Sequence, residues 1–263
     1  ITLDEVSFVS VPLTIRTETQ EFRDDASLDV ETMVDTLRST KGRSYSACPS
    51  VADWERAFGE DDDVLAFTIT SGLSGSFRAA CAAKLNCEEN SPSRRICIID
   101  SLSTGPEIVL LIEKAVSELS AGADFDAGCR SVQDYQRRTH LIFALESLHN
   151  LAQNGRVGKL AAAAAGMLGI RAVGTTSDEG TLDLLGKCRG RKRAVDFLQE
   201  EMERLGYTGG CVRIGHCRNT DSAGELRTAI LHRFPGANIR IYPLRGLCSY
   251  YAECGGVLVG FEA

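Results

Sequence analysis

No apolar run in this 263-residue sequence reaches the roughly 18–20 residues that a membrane-crossing helix needs. The most apolar stretch, residues 160–170, is bounded by Lys159 and Arg171, so a soluble chain is expected, without a membrane span. Nothing at Ile1–Thr2–Leu3–Asp4–Glu5 reads as a basic region followed by an apolar segment, which leaves the cytoplasm as the expected compartment. There is no initiator Met either, as in a chain that begins downstream of its natural start. The ten cysteines contain no C-x-x-C pair, so zinc spacing is missing and no metal is expected. Several lie inside apolar segments such as Arg95–Ile96–Cys97–Ile98–Ile99, where a reduced thiol behaves as a small hydrophobe. The G-x-x-x-x-G-K-[ST] and G-x-G-x-x-G signatures are absent, which argues against a nucleotide site. Cationic excess is also lacking: 29 Lys and Arg against 36 Asp and Glu give a net charge of −7, the wrong sign for coating nucleic acid.

What is present is a globular composition, 43% hydrophobic and 25% charged, with local order of the α/β kind. Val9, Val11, Leu13 and Ile15 alternate as in a half-buried strand, and Val30, Met33, Val34 and Leu37 recur at helical spacing. Ser50 with Asp53 three residues on marks a helix start ahead of Trp54 and Phe58. Residues 64–69, 95–99 and 141–145 are short apolar runs; helical segments follow the first two, at 77–85 and 107–119, which implies parallel strands with helical crossovers. From Ser147 the pattern shifts, so an N-terminal α/β domain of residues 1–146 and a C-terminal α/β domain of residues 147–263 are expected. In the second, strands at 170–175, 182–186, 210–216 and 239–243 alternate with helices at 194–205 and 223–234. No repeat or low-complexity linker separates the two, so they are expected to pack together.

The segment Thr70–Ser71–Gly72–Leu73–Ser74–Gly75–Ser76 stands where a strand gives way to a helix. Ligands of open α/β sheets bind at such strand ends, and a helix N-terminus favours an anion. Glycine admits a close approach and hydroxyls donate hydrogen bonds, so the loop suits a carboxylate or a phosphate; it equally suits a plain Gly/Ser turn. In the second hydroxyl segment, Ser46–Ala47–Cys48–Pro49–Ser50, Ser50 is placed as a helix cap and Ser46 is free to face a ligand. An enzymatic alternative is a serine hydrolase using Ser74, His216 and Asp100, although Ser76 stands where a G-x-S-x-G elbow needs its last glycine. A binder of a small phosphorylated metabolite is the third reading.

These two serine segments, in this order, resemble the DegV family of bacterial fatty-acid-binding proteins. Ile98–Ile99–Asp100–Ser101, Leu148–His149–Asn150–Leu151 through Gly155–Arg156–Val157–Gly158–Lys159, Arg189–Gly190–Arg191–Lys192–Arg193–Ala194 and Phe22–Arg23–Asp24 extend the resemblance over nearly the whole chain. It implies two α/β domains with one fatty acid enclosed between them. The carboxylate would be held by Ser46, Thr70, Ser71, Gly72 and Ser74, and the chain presented to a separate fatty-acid kinase subunit. The protein would be a carrier without catalysis of its own or any cofactor beyond the bound acid, touching membranes at most transiently. By the same resemblance Arg156 and Arg189 would face the kinase or its nucleotide phosphate, whereas Arg191, Lys192 and Arg193 read as a solvated helix start.

Two departures from the family pattern stand out. The family's His-x-Gly-Pro-Gly segment corresponds to Tyr251–Ala252–Glu253–Cys254–Gly255, so a phenol replaces an imidazole at the head group and Glu253 adds a negative charge. His216 at a strand end is a candidate to compensate in space. The family's opening strand has no counterpart before Val9–Ile15, so either the chain starts late or the sheet is one strand short.

Overall fold

The computed structural model describes residues 6–60, 63–163 and 169–263. A six-stranded sheet of order β10-β9-β11-β6-β7-β8 forms the centre of the molecule. Its strands are β6 (Thr139–Leu145), β7 (Ile170–Thr176), β8 (Leu182–Arg189), β9 (Cys211–His216), β10 (Asn238–Pro243) and β11 (Val257–Glu262). Two smaller sheets accompany it. β1 (Thr14–Arg16) pairs antiparallel with β2 (Glu21–Arg23) and β3 (Tyr45–Ala47), and β4 (Asp63–Thr68) pairs parallel with β5 (Arg95–Asp100).

Period-two alternation assigns the two faces of the central sheet. Ile142 and Ala144 of β6 join Val257, Val259 and Phe261 of β11 in a core covered by α7 (Arg191–Arg204) and α8 (Thr220–Arg233). Leu141, Phe143 and Leu145 point the other way, into a second core. That core is shared with Leu258, with Ile15 of β1, with Met33 and Val34 of α1 (Val30–Ser39), with Leu151 of α6 (His149–Gln153), and with Leu247 and Tyr250 of α9 (Gly246–Ala252). The β4–β5 pair has its own cores: Trp54 and Phe58 of α2 (Val51–Phe58) with Ala80 and Ala83 of α3 (Ser76–Asn90) on one side, and α4 (Pro106–Ser120) with α5 (Phe125–Gln136) on the other.

The parallel arrangement expected from strand–helix alternation holds for β4 with β5 and for β9 with β10. It does not hold for β6, which is antiparallel to both β11 and β7. A strand buried on both faces reads as one apolar run whichever way its neighbours point, so residues 141–145 carry no sign of direction. The boundary expected between residues 146 and 147 therefore falls just after β6 and cuts the central sheet. The N-terminal strand is also shorter than the alternation suggests: pairing begins at Thr14, and Val9 is 58% exposed outside any strand. Of the Ala-rich segment, residues 158–163 form a 3-10 helix, and 164–168 lie outside the described residues. Among the described residues no helix is long and apolar enough to cross a membrane.

Gly260 of β11 is where α4 meets the sheet. A methyl group there would stand 2.5 Å from the backbone nitrogen of Glu107 and 2.6 Å from the carbonyl carbon of Pro106. That contact carries Glu107 into the interior, 4% exposed, where its Oε1 accepts the Thr139 hydroxyl at 2.7 Å. Burial pushes this carboxyl above the ordinary glutamate range. The folded state thus prefers the neutral acid. Its contribution to stability is complete below the ordinary glutamate pKa of about 4.3 and is lost as pH rises through the raised value. Glu107→Gln, which is neutral at every pH, is accordingly expected to melt above the parent at pH 8, with the difference shrinking towards pH 4; a difference independent of pH would show that Glu107 does not titrate with unfolding.

Candidate functional site

The core that faces away from α7 and α8 is incompletely filled. Between the central sheet, α6, α9, β3 and the β4–α3 loop lies a cavity with about 820 Å³ of atom-free space, counted out to its solvent-open end. Leu141, Phe143 and Leu145 of β6, Leu258 of β11 and Leu182 of β8 form its floor, and Leu13, Ile69, Leu73, Leu151 and Leu247 complete an apolar wall. The polar groups are few: Ser46, Cys48, Ser74, Thr104, Arg156, Cys248 and Tyr251.

Ser46 and Tyr251 meet directly, with their hydroxyl oxygens 2.7 Å apart. Ser44, the residue before β3, and Ser46 within it stand two residues apart and on one face. Ser44 reaches the hydroxyl of Tyr250 at 2.9 Å, and Ser46 reaches Tyr251. Behind the cavity, the Asn154 amide donates to the Tyr250 hydroxyl at 2.8 Å and the Asn150 amide donates to the Tyr250 carbonyl at 2.7 Å. The two tyrosine rings lie edge to face, 4.7 Å between centroids. Tyr251 is therefore held by a buried polar network and an aromatic contact. In the Ser46–Tyr251 pair one proton joins the two oxygens and the other remains to be donated to a ligand.

Ser74 lies on the cavity wall ahead of α3, and its Oγ accepts the Ser76 amide at 3.2 Å, completing the helix start that Gly75 leaves without a side-chain cap. Arg156 arrives from the segment after α6. Its Nε donates to the Leu73 carbonyl at 3.3 Å and its Nη1 to the Asn154 carbonyl at 2.8 Å. No carboxylate pairs with this guanidinium among the described residues, so the cavity wall carries one uncompensated positive charge. Hydroxyls, a helix start and one guanidinium at the edge of an apolar cavity suit an anionic head group with a long apolar tail.

The other expected head-group residues take supporting positions. Thr70 is fully buried: its hydroxyl donates to the Gly180 carbonyl at 3.0 Å and accepts the Gly72 amide at 3.1 Å. Gly72 is pressed against the β7–β8 turn, where a methyl group would stand 2.8 Å from the Gly180 carbonyl oxygen. The Ser71 amide donates to Asp100 at 3.0 Å. None of these three lines the cavity. Arg189 stands exposed at the end of β8, paired through the backbone with Ile170, and does not line the cavity. Arg191, Lys192 and Arg193 are in surface ion pairs with Asp221 and Glu225, Asp196, and Glu200.

Glu253 is not on the cavity lining, and its carboxylate accepts the Asn150 backbone N–H at 3.0 Å, at the start of α6. His216 does not compensate for Tyr251. It is 7% exposed at the end of β9, its Nδ1 accepts the Asn219 amide at 3.4 Å, and burial holds its ring below the ordinary histidine range. No histidine lines the cavity, so Ser74, His216 and Asp100 do not assemble as a hydrolase triad. Sequence reasoning missed Leu13, Cys48, Thr104 and Cys248 on the wall. It also missed the partnership of Ser44 with Tyr250, for which period two from Ser46 was the available signal.

Comparison with known proteins gives the same picture at the level of the whole chain. The family model described as "Uncharacterised protein, DegV family" matches residues 2–262. A DegV domain-containing protein of Streptococcus pneumoniae is 43% identical over 256 residues, covering 97% of this chain and 91% of its own. Two solved structures superpose with a TM-score of 0.95 each. One is a DegV family protein from Eubacterium eligens loaded with heptadecanoic acid, 42% identical, covering 100% of this chain and 95% of its own. The other is the Streptococcus pneumoniae fatty acid kinase (Fak) B3 protein loaded with linoleic acid, 43% identical, covering 97% and 91%. With residues 2–262 matched by the family model and relatives above 40% identity, this chain belongs to the DegV family.

Proposed function

We propose that this chain is a carrier that encloses one long-chain fatty acid in the cavity and presents its carboxyl group to a separate fatty-acid kinase subunit. The observation that carries the reading is an apolar cavity whose polar lining includes the bonded Ser46–Tyr251 hydroxyls, Ser74 and Arg156, which pairs with no carboxylate among the described residues. Burying about sixteen carbons at ~0.8 kcal/mol per CH₂ offsets much of the cost of ordering the ligand. The carboxylate loses water on entry and gains hydroxyl donors and one guanidinium in return. Thr70, Ser71 and Gly72 act one layer out, by holding the loop that carries Ser74. Arg189, exposed and not on the cavity lining, is assigned to the partner-facing surface. All ten cysteines are free, which supports a reducing compartment, the cytoplasm.

A phosphorylated metabolite would fit the Ser74 helix start but not the eight leucines of the wall. The kinase step is tested by mixing the protein loaded with linoleic acid, a purified fatty-acid kinase catalytic subunit and MgATP, then trapping acyl phosphate with hydroxylamine. Linoleoyl hydroxamate is expected, dependent on all three components. Loaded protein that yields none with an active kinase would remove the carrier-to-kinase step.

A further inference from the structure

The two partners at the head group ride on different elements, Ser46 on β3 and Tyr251 on α9, and something must hold them in register. Asp24, the residue after β2, does so from the far end of α9. Its Oδ1 accepts the Gly246 amide at 2.9 Å and its Oδ2 accepts the Leu247 amide at 2.8 Å, so both carboxylate oxygens take up free N–H groups of the first turn. Position 246 is glycine because a methyl group there would stand 2.7 Å from Asp24 Oδ1 and 2.5 Å from Leu28 Cδ2. On the other side Asp24 is fixed to the three-stranded sheet: its own amide donates to the Leu13 carbonyl at 2.9 Å. In that sheet β1 pairs Thr14 with Arg23 and Ile15 with Ser46.

The anchor and the serine therefore belong to one small rigid sheet, and the anchored amides and the tyrosine to one short helix. We propose that Asp24 is a positioning residue for the head-group site, setting the Tyr251 hydroxyl against Ser46 by fixing the start of α9. The proposal rests on the fatty-acid reading of the cavity. A charge-assisted carboxylate cap holds a helix more firmly than an amide does, and α9 has no side-chain cap from its own preceding residue, Arg245. The Arg245 side chain donates instead to the Asp25 carbonyl, a third tie between the same two segments.

The test is Asp24→Asn, nearly isosteric and uncharged, with Asp24→Ala beside it, both confirmed folded at the assay temperature by circular dichroism. Binding of cis-parinaric acid, a fluorescent long-chain acid, is compared with binding of its alcohol, which shares the tail and lacks the carboxylate. If Asp24 positions the Tyr251 hydroxyl, the Asn variant binds the acid about three- to fivefold more weakly, no more than loss of that hydroxyl costs, and the alcohol within about 1.5-fold of the parent. In a Tyr251→Phe background the same substitution costs the acid less than about twofold, since the group being positioned is gone. Equal losses for acid and alcohol, or no loss for either, would overturn the proposal by making Asp24 a general support of the fold or nothing at all. If the parent itself fails to bind the acid, the carrier reading falls first and this inference with it.

Discussion

Removing both hydroxyls of the Ser46–Tyr251 pair is expected to weaken long-chain fatty acid binding about 10- to 150-fold, while removing either one alone costs less than about fivefold. The asymmetry follows from counting protons. The oxygens are 2.7 Å apart, so one proton is shared between them and one is left for the carboxylate. Ser46→Ala leaves the phenol to donate, and Tyr251→Phe leaves the serine to donate. Each single variant gives up a neutral hydrogen bond of about 1 kcal/mol, and the remaining hydroxyl turns to the ligand. The double variant loses the bond to a charged group, about 1.5–3 kcal/mol, and leaves the carboxylate to Ser74 and Arg156. Titration calorimetry on delipidated protein reads all four corners of the cycle. Losses that simply add would show that the two hydroxyls bind the ligand independently.

The second large effect is expected one layer behind the cavity wall, at Gly180 in the β7–β8 turn. This residue has φ +72, and a methyl group on it would stand 1.9 Å from Thr70 Oγ1 and 3.0 Å from Thr70 Cβ. Left-handed backbone costs a non-glycine residue about 1–2 kcal/mol, and overpacking adds about 1–3 kcal/mol. Gly180→Ala is thus expected to lower stability by about 3 kcal/mol, or Tm by roughly 6–12 °C. Gly122→Ala separates the two contributions, because Gly122 has φ +87 with nothing within 4 Å of its added methyl. It is expected to lose only the backbone part. Equal melting temperatures for the two variants would mean that the turn does not press on Thr70.

That contact explains why part of the site was legible in the sequence and part was not. Ser46 and Ser74 were readable because each belongs to a hydroxyl segment with a separate local explanation for its neighbours. Ser50 caps α2 with Asp53, as their spacing suggests, and so leaves Ser46 to the cavity. Thr70 and Gly72 have the same composition and the same loop, yet they turn toward Gly180, a residue 110 positions from Thr70. Nothing local in Thr70–Ser76 reveals which hydroxyls a distant hairpin will occupy.

The fold divides in the same manner. Strands β4, β5, β7, β9 and β10 and helices α3, α4, α7 and α8 lie close to where periodicity puts them, since each carries its own apolar spacing. The direction of β6 escaped, for burial on both faces erases the pattern that would betray an antiparallel neighbour. β11 escaped as well, although Val257–Leu258–Val259 follows a Gly–Gly pair. It fills the gap between β6 and β9, which only the assembled sheet makes visible. Glu253 looked hostile to an anion because its charge was legible and its partner, the Asn150 amide, was not.

The central claim, that the cavity beneath Ser46 and Tyr251 holds one long-chain fatty acid, is tested most directly by native mass spectrometry of the protein purified from cells without delipidation. One adduct per chain is expected, released on denaturation as a long-chain fatty acid and absent from a variant in which Phe143 and Leu145 on the cavity floor are replaced by aspartate. A parent protein that carries no adduct, and takes up none when linoleic acid is added in excess, would contradict the account.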